Sequence, residues 1–118
     1  MNQDLVQLSS YEFESISIPP ADAIEAYERD GVVSLRGAFS EEWIELLAHG
    51  MEIAISDSLK QDTAFNISTP GDPGFFFYDT FMWQRINQFK RFVFESNVAD
   101  IAANIMRSKG LIFYFDFM

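Results

Sequence analysis

The chain contains no cysteine. That excludes disulfides, thiol nucleophiles and thiolate metal sites. It contains a single histidine, His49, so a two-His-one-carboxylate metal triad cannot form within one chain. A Ser-His-Asp triad built on His49 would require that side chain to face inward from its helix. Basic residues are few: 8 Lys and Arg stand against 18 Asp and Glu, for a net charge of −10. The acids crowd the first part of the chain, where only Arg29, Arg36 and Lys60 oppose them as far as Asp72. From Gly74 onward the balance is nearly neutral. A surface this acidic repels phosphate backbones and anionic lipid, so nucleic-acid and membrane partners are set aside. No apolar run approaches the ~18 residues needed to span a bilayer. Met1-Asn2-Gln3-Asp4 lacks the basic start and apolar core of a signal peptide, and a soluble, cytoplasmic protein is expected. The one glycine-rich stretch, Gly71-Asp72-Pro73-Gly74, has neither P-loop spacing nor a following Lys-Ser/Thr, and reads as a turn.

What is abundant is apolar and aromatic. Of 118 residues 48% are hydrophobic and 16% aromatic, with 13 Phe, which excludes a disordered tail. The length suits one small domain. Such a domain buries only about two-thirds of the surface its unfolded chain exposes. This many large apolar side chains therefore either fill an unusually aromatic core or are meant for a partner.

Residues 1–20 read as an irregular lead-in, with Phe13, Ile16 and Ile18 at no regular spacing and Pro19-Pro20 stopping any helix. A short helix opens at Ala21 or Asp22, with Ala23, Ala26 and Tyr27 on one face, and ends at Gly31. Val32 to Leu35 is a β-rich run. Ser40 is an N-cap candidate followed by Glu41 and Glu42, where the helix dipole favours negative charge. Trp43, Leu47, Met51 and Ile55 then recur every four residues, predicting a helix over 41–56 with that stripe inward. Residues 57–74 are mainly loop. Phe75 to Tyr78 is a short strand, and a third helix is expected over 81–95 with Met82, Ile86, Phe89 and Val93 on one face. Asn97 and Asp100 occupy capping-box positions of a fourth helix, striped by Val98, Ile101, Ala102 and Ile105 and ended at Gly110. Leu111 to Met118, aromatic and without a breaker, reads as a strand. Trp43, Leu47, Ile101 and Ile105 are expected to be largely buried.

Few residues invite a chemical role. His49 and Glu52 lie at i, i+3 and could touch one metal, but no third ligand is within sequence reach, and a solvated helix face explains both. Arg85, Lys90 and Arg91 fall on the polar side of the third helix, either as solvated surface or as a site for a carboxylate. Asp116, on a face with Tyr114 and Met118 in an alternating strand, needs a partner or a wet cavity if it is buried, or else marks an exposed face.

The order of these segments resembles a known family. The run from Tyr27 through Glu28-Arg29-Asp30-Gly31, the short β run, Gly37-Ala38-Phe39-Ser40 and the helix opening at Glu41-Glu42-Trp43 is similar to the opening of phytanoyl-CoA dioxygenase-like proteins. Phe89-Lys90-Arg91-Phe92, then Asn97 to Ile101 and the helix to Gly110, resemble that family's stretch before its first core strand. Leu111 to Met118 looks like that strand, in which an Asp at the place of Asp116 is common. The resemblance spans residues 22–118. It implies a double-stranded β-helix holding Fe(II) through a His-x-Asp motif and a distant His, with a downstream Arg binding 2-oxoglutarate. In that family the His-x-Asp follows the strand by a few tens of residues, beyond Met118. No residue of this sequence inherits a catalytic, cofactor-binding or metal role.

The expectation is therefore an α+β chain: N-terminal helices plus the first strands of a truncated double-stranded β-helix, a cupin-like jelly roll. It would be one incomplete domain, with lead-in 1–21, a mainly helical part 22–110 and a first core strand 111–118. Its expected function is that of the N-terminal portion of a phytanoyl-CoA dioxygenase-like hydroxylase, inactive alone and with no cofactor of its own. Tyr78, Trp83, Tyr114 and Asp116 are the candidates for lining the parent's small-molecule pocket. The rival reading is a non-catalytic binding or oligomerisation module. Either way, an unblunted strand at Leu111–Met118 predicts self-association.

Overall fold

The computed structural model describes residues 8–12, 18–57, 65–66, 71, 73–74 and 76–118. Helices and a few very short strands make up a mixed α+β chain, in the order β1 (Ser10–Glu12), α1 (Ala21–Asp30), β2 (Ser34–Arg36), α2 (Glu41–Asp57), β3 (Phe65–Asn66), β4 (Phe77–Tyr78), a 3-10 turn (Met82–Gln84), α3 (Asn87–Glu95) and α4 (Val98–Ile105). They form two compact units: residues 1–40 with 97–111, and residues 41–96 with 112–118. None of the described helices is long and apolar enough to cross a membrane.

In the first unit α1 packs against α4. Small residues allow a close approach: Ala23 and Ala26 are buried, and so are Ile101 and Ile105 of α4. Gly31 ends α1 at φ 75°, its N–H reaching Tyr27 O at 2.8 Å. That left-handed conformation costs glycine little and other residues about 1–2 kcal/mol. The lead-in is less irregular than its sequence suggests, because β1 pairs in parallel with β2, Ser10 opposite Ser34 and Glu12 opposite Arg36. Phe13 and Ile16 lie outside the described residues, and Ile18 is exposed. The fourth helix stops at Ile105, short of Gly110. Arg107 makes the reversal at φ 49° and pairs with Glu28, Nε to Oε1 at 3.3 Å. The Asn97 side chain makes no cap bond; its Nδ2 lies 3.5 Å from Ala38 O.

In the second unit the core is Ala54, Met82, Ile86 and Phe89, with Leu47, Ile53, Phe77, Trp83 and Met118 packed around it. Here the expected inward face of α2 needs correction. Trp43, Leu47 and Met51 are only half-buried and Ile55 is exposed, whereas Gly50 and Ala54 are buried. The helix comes nearest α3 at its small residues, Gly50 facing Gln88 and Phe89 and Ala54 packing in the cluster with Phe89, and the larger Leu47 and Ile53 lie against that cluster. Trp43 stands edge-on to Phe92 at 5.9 Å, under the Arg91 guanidinium.

Two further expectations differ. The helix over 81–95 is broken: after the 3-10 turn, Ile86 is extended (φ −110°, ψ 111°) and α3 starts at Asn87. Residues 111–118 do not form a continuous strand. Only the end pairs, as an antiparallel bridge of Phe117 with Thr80.

Candidate functional site

The second unit gathers its polar groups where the final residues meet the segment from Asp79 to Arg85. Asp79 N–H donates to Met118 O (2.9 Å), Met118 N–H to Asp79 O (3.1 Å), and Phe81 N–H to Asp116 O (3.1 Å). Phe81 then takes a left-handed conformation, φ 56° and ψ 30°, and swings the chain into the 3-10 turn. For a bulky residue this is a strained geometry. The free N–H at the start of the turn is satisfied from a distance: Trp83 N donates to Asp116 Oδ2 at 2.9 Å. Asp116 thus caps the start of a turn 33 residues before it in sequence.

Asp79 has no exposed surface at all. Its Oδ1 accepts from Thr80 N at 2.7 Å, and its Oδ2 accepts from Arg85 Nη2. Arg85 Nη1 also approaches Thr80 O at 3.4 Å, and the Arg85 side chain is 26% exposed. A buried carboxylate is tolerated only when paired and hydrogen-bonded in this way, and removing one partner typically costs about 3–5 kcal/mol.

Two polar atoms beside this pair are buried without a hydrogen-bond partner: Trp83 Nε1 and Asp116 Oδ1. One is a donor, the other an acceptor. Aromatic rings surround them. Trp83 is met edge-on by Phe94 (5.8 Å) and Phe113 (5.9 Å), and Phe81 lies 5.6 Å from Phe115.

Of the four residues singled out from sequence, Trp83 and Asp116 are in direct contact. Tyr78 is half-buried at the far side of the bridge, its ring 5.8 Å from Phe117. Tyr114 is 78% exposed, and its ring contact is with Phe115 at 5.0 Å. Asp79 and Arg85 were the residues that pattern did not single out as a pair. Their spacing of six matches no helical or strand period. The one available signal was an acid set between aromatic Tyr78 and Phe81. Lys90 and Arg91 are exposed, Arg91 bonding Glu95 at 3.1 Å.

His49 is exposed on α2, with Gln88 Nε2 lying 3.3 Å from its Nδ1, and Glu52 is exposed as well. Among the described residues no three His, Asp or Glu side chains are gathered as a metal ion would require. Comparison of the chain with protein-family models, with curated proteins and with solved structures finds no match.

Proposed function

We propose that this chain is the N-terminal, helix-rich portion of a phytanoyl-CoA dioxygenase-like, Fe(II)- and 2-oxoglutarate-dependent hydroxylase of the cytoplasm. Residues 111–118, which pair here only through Phe117, correspond in this reading to that family's first core strand, at the threshold of a double-stranded β-helix. The observation that carries this reading is the order of elements between Tyr27 and Trp43. A helix closes on Gly31 with positive φ, a strand of three residues follows, Gly37 turns at φ 72°, and a helix begins at Glu41. That is the order the resemblance implies. Trp83 and Asp116, in contact, and Tyr78 on the same segment are the pocket wall such a parent would use, with Tyr114 at its rim.

The iron itself does not fit the residues present. His49 is the only imidazole, it faces Gln88, and no carboxylates converge on it among the described residues. No step of an oxygenase reaction is assigned to this chain, which by itself is catalytically incompetent. The test is the reading frame of the native transcript beyond codon 118, joined to a succinate-release assay. A frame continuing into His-x-Asp, with no succinate from the 118-residue chain, supports the reading. Stoichiometric iron binding with turnover by the 118 residues alone overturns it.

The second reading, a non-catalytic binding or oligomerisation module, is favoured by one observation. Ile112, Phe113, Tyr114, Phe115 and Phe117 are all exposed, Ile112 at 96%. A stop codon directly after Met118 would select this reading.

A further inference from the structure

The polypeptide reaches the second unit twice. It leaves after Ser96, contributes residues 97–111 to the first unit, and returns with residues 112–118. The returning segment is seated through residues 116–118. Met118 and Asp79 exchange backbone hydrogen bonds, Asp116 O accepts from Phe81 N–H, and Asp116 Oδ2 accepts from Trp83 N–H. Met118 packs on the core cluster, and the Phe117 ring lies 5.8 Å from that of Tyr78. Ahead of this seat the chain is held less firmly. Phe113 and Phe115 rest on Trp83 and Phe81. Among the described residues, however, Ile112 to Phe115 make no backbone hydrogen bond, and no turn or bend interrupts them. Ile112 is 96% exposed and Tyr114 78%. The seat also carries a penalty, because Trp83 Nε1 and Asp116 Oδ1 are buried in it without partners, forfeiting their hydration. A segment so held opens locally at modest cost.

We infer that residues 112–118 are an exchangeable arm, which docks on the Asp79–Trp83 segment of a second copy of this chain. The occupant of that seat is already visible: it is this same segment, and the arm of another copy makes the same contacts there. Exchange of an identical element therefore keeps every bond of the seat. It also adds what the closed chain lacks. Two arms crossing in opposite directions bring their Ile112–Phe115 runs side by side, and the free N–H and C=O groups of one run meet those of the other as antiparallel strands. The exposed side chains of Ile112 and Tyr114 are covered in the same step. Charge favours this meeting place, since the chain carries −10 overall but is nearly neutral from Gly74 onward, where two copies repel least. The inference rests on the reading of the chain as an oligomerisation module and deepens it, by naming the partner and the segment exchanged.

The test uses the full chain, which has no cysteine of its own. Thr80 faces Phe117 across the bridge, beside the mutually bonded Asp79 and Met118. Such a neighbour is a non-hydrogen-bonded antiparallel pair, with Cα atoms about 4.5 Å apart and within reach of a disulfide. Chains carrying Thr80→Cys are mixed with affinity-tagged chains carrying Phe117→Cys, unfolded and refolded together, and oxidised. The disulfide joining the two kinds of chain should exceed either like-with-like disulfide by about tenfold or more, because the seat holds the sulfurs at a high effective concentration. Adding Asp116→Ala to the tagged chain, which removes the acceptor for Trp83 N–H, should lower that yield severalfold. If Phe117→Cys does not fold, a half isotope-labelled sample of the unaltered chain serves instead. An NOE should then join the Phe117 ring of one copy to the Tyr78 ring of another. A random distribution of disulfides, or the absence of that NOE, overturns the exchange. If light scattering still shows a dimer in that case, the copies meet without exchange and the module reading stands; a monomer removes both.

Discussion

Replacing Gly50 by alanine sets two opposing effects against each other within the second unit. In the interior of a helix, glycine costs about 0.8–1 kcal/mol relative to alanine, so propensity alone would make Gly50→Ala stabilising. The packing argues otherwise. A Cβ at position 50 would lie 3.1 Å from Gln88 Cβ, 3.1 Å from Phe89 Cζ and 3.3 Å from Phe89 Cε1. Gln88 Cβ is fixed to the backbone of α3, so it moves only if the helix moves. The Phe89 ring is buried in the cluster with Ala54, Met82 and Ile86, with no exposed side toward which to retreat. Overpacking of this kind costs about 1–3 kcal/mol. The net expectation is a loss of about 1 kcal/mol, read as a lower urea midpoint at unchanged slope. Trimming the obstacle, in Gly50→Ala with Phe89→Leu, should show a favourable coupling between the two sites. Gly31→Ala is the contrasting control: nothing lies within 4 Å of its Cβ position, and its cost comes from φ 75° alone. A Gly50→Ala protein at least as stable as the parent would refute the close approach of α2 and α3.

Arg85→Leu, which strands the buried Asp79 carboxylate, should cost about 3–5 kcal/mol in a denaturant melt, and a loss under 1 kcal/mol would mean the pair is hydrated. Met82→Ala, at a site with no exposed surface, should cost about 2–5 kcal/mol, whereas Ile112→Ala should stay within about 0.5 kcal/mol of the parent. Light scattering should show the intact chain as a dimer or larger and a chain shortened after Gly110 as a monomer, because the exposed aromatic run offers backbone groups to another strand. A monomeric intact chain at high concentration would remove that expectation. The Leu47→Ala change, at a half-buried position, should fall at or below the lower end of the range for Leu truncations, about 2–3 kcal/mol in the same melts.

The helices α1, α2 and α4 were legible because their signals are local. Pro20 and Gly31 bracket the first, the acids at 41 and 42 and a four-residue repeat mark the second, and Val98 to Ile105 has a clean apolar stripe. What the sequence did not carry is long-range. The cap of the 3-10 turn comes from a carboxylate 33 residues later taking the Trp83 N–H, and the extended Ile86 after that turn has no mark in the local pattern. The pairing of β1 with β2 involves three residues on each side, too few for any alternation to show. The stripe of α2 was read by size, yet contact with α3 selects Gly50 and Ala54, since the smallest side chains permit the nearest backbones. In the candidate site, Trp83 and Asp116 could be named from their setting in apolar runs, but the Asp79–Arg85 pair has no periodic signature. The direction of Tyr114 followed from an alternation that the tail does not keep.

The path of the chain between its two units bears on how it can be made. The first unit needs residues 97–111 and the second needs 112–118, so neither can close on itself early in translation. As the polypeptide leaves the ribosome, α1 waits for α4, more than seventy residues later, and the segment at Asp79 waits for Met118. Contacts so distant along the chain slow folding and prolong the exposure of sticky surface. Until residues 97–118 have emerged, α1 and the segment at Asp79 are without the neighbours they have in the folded units.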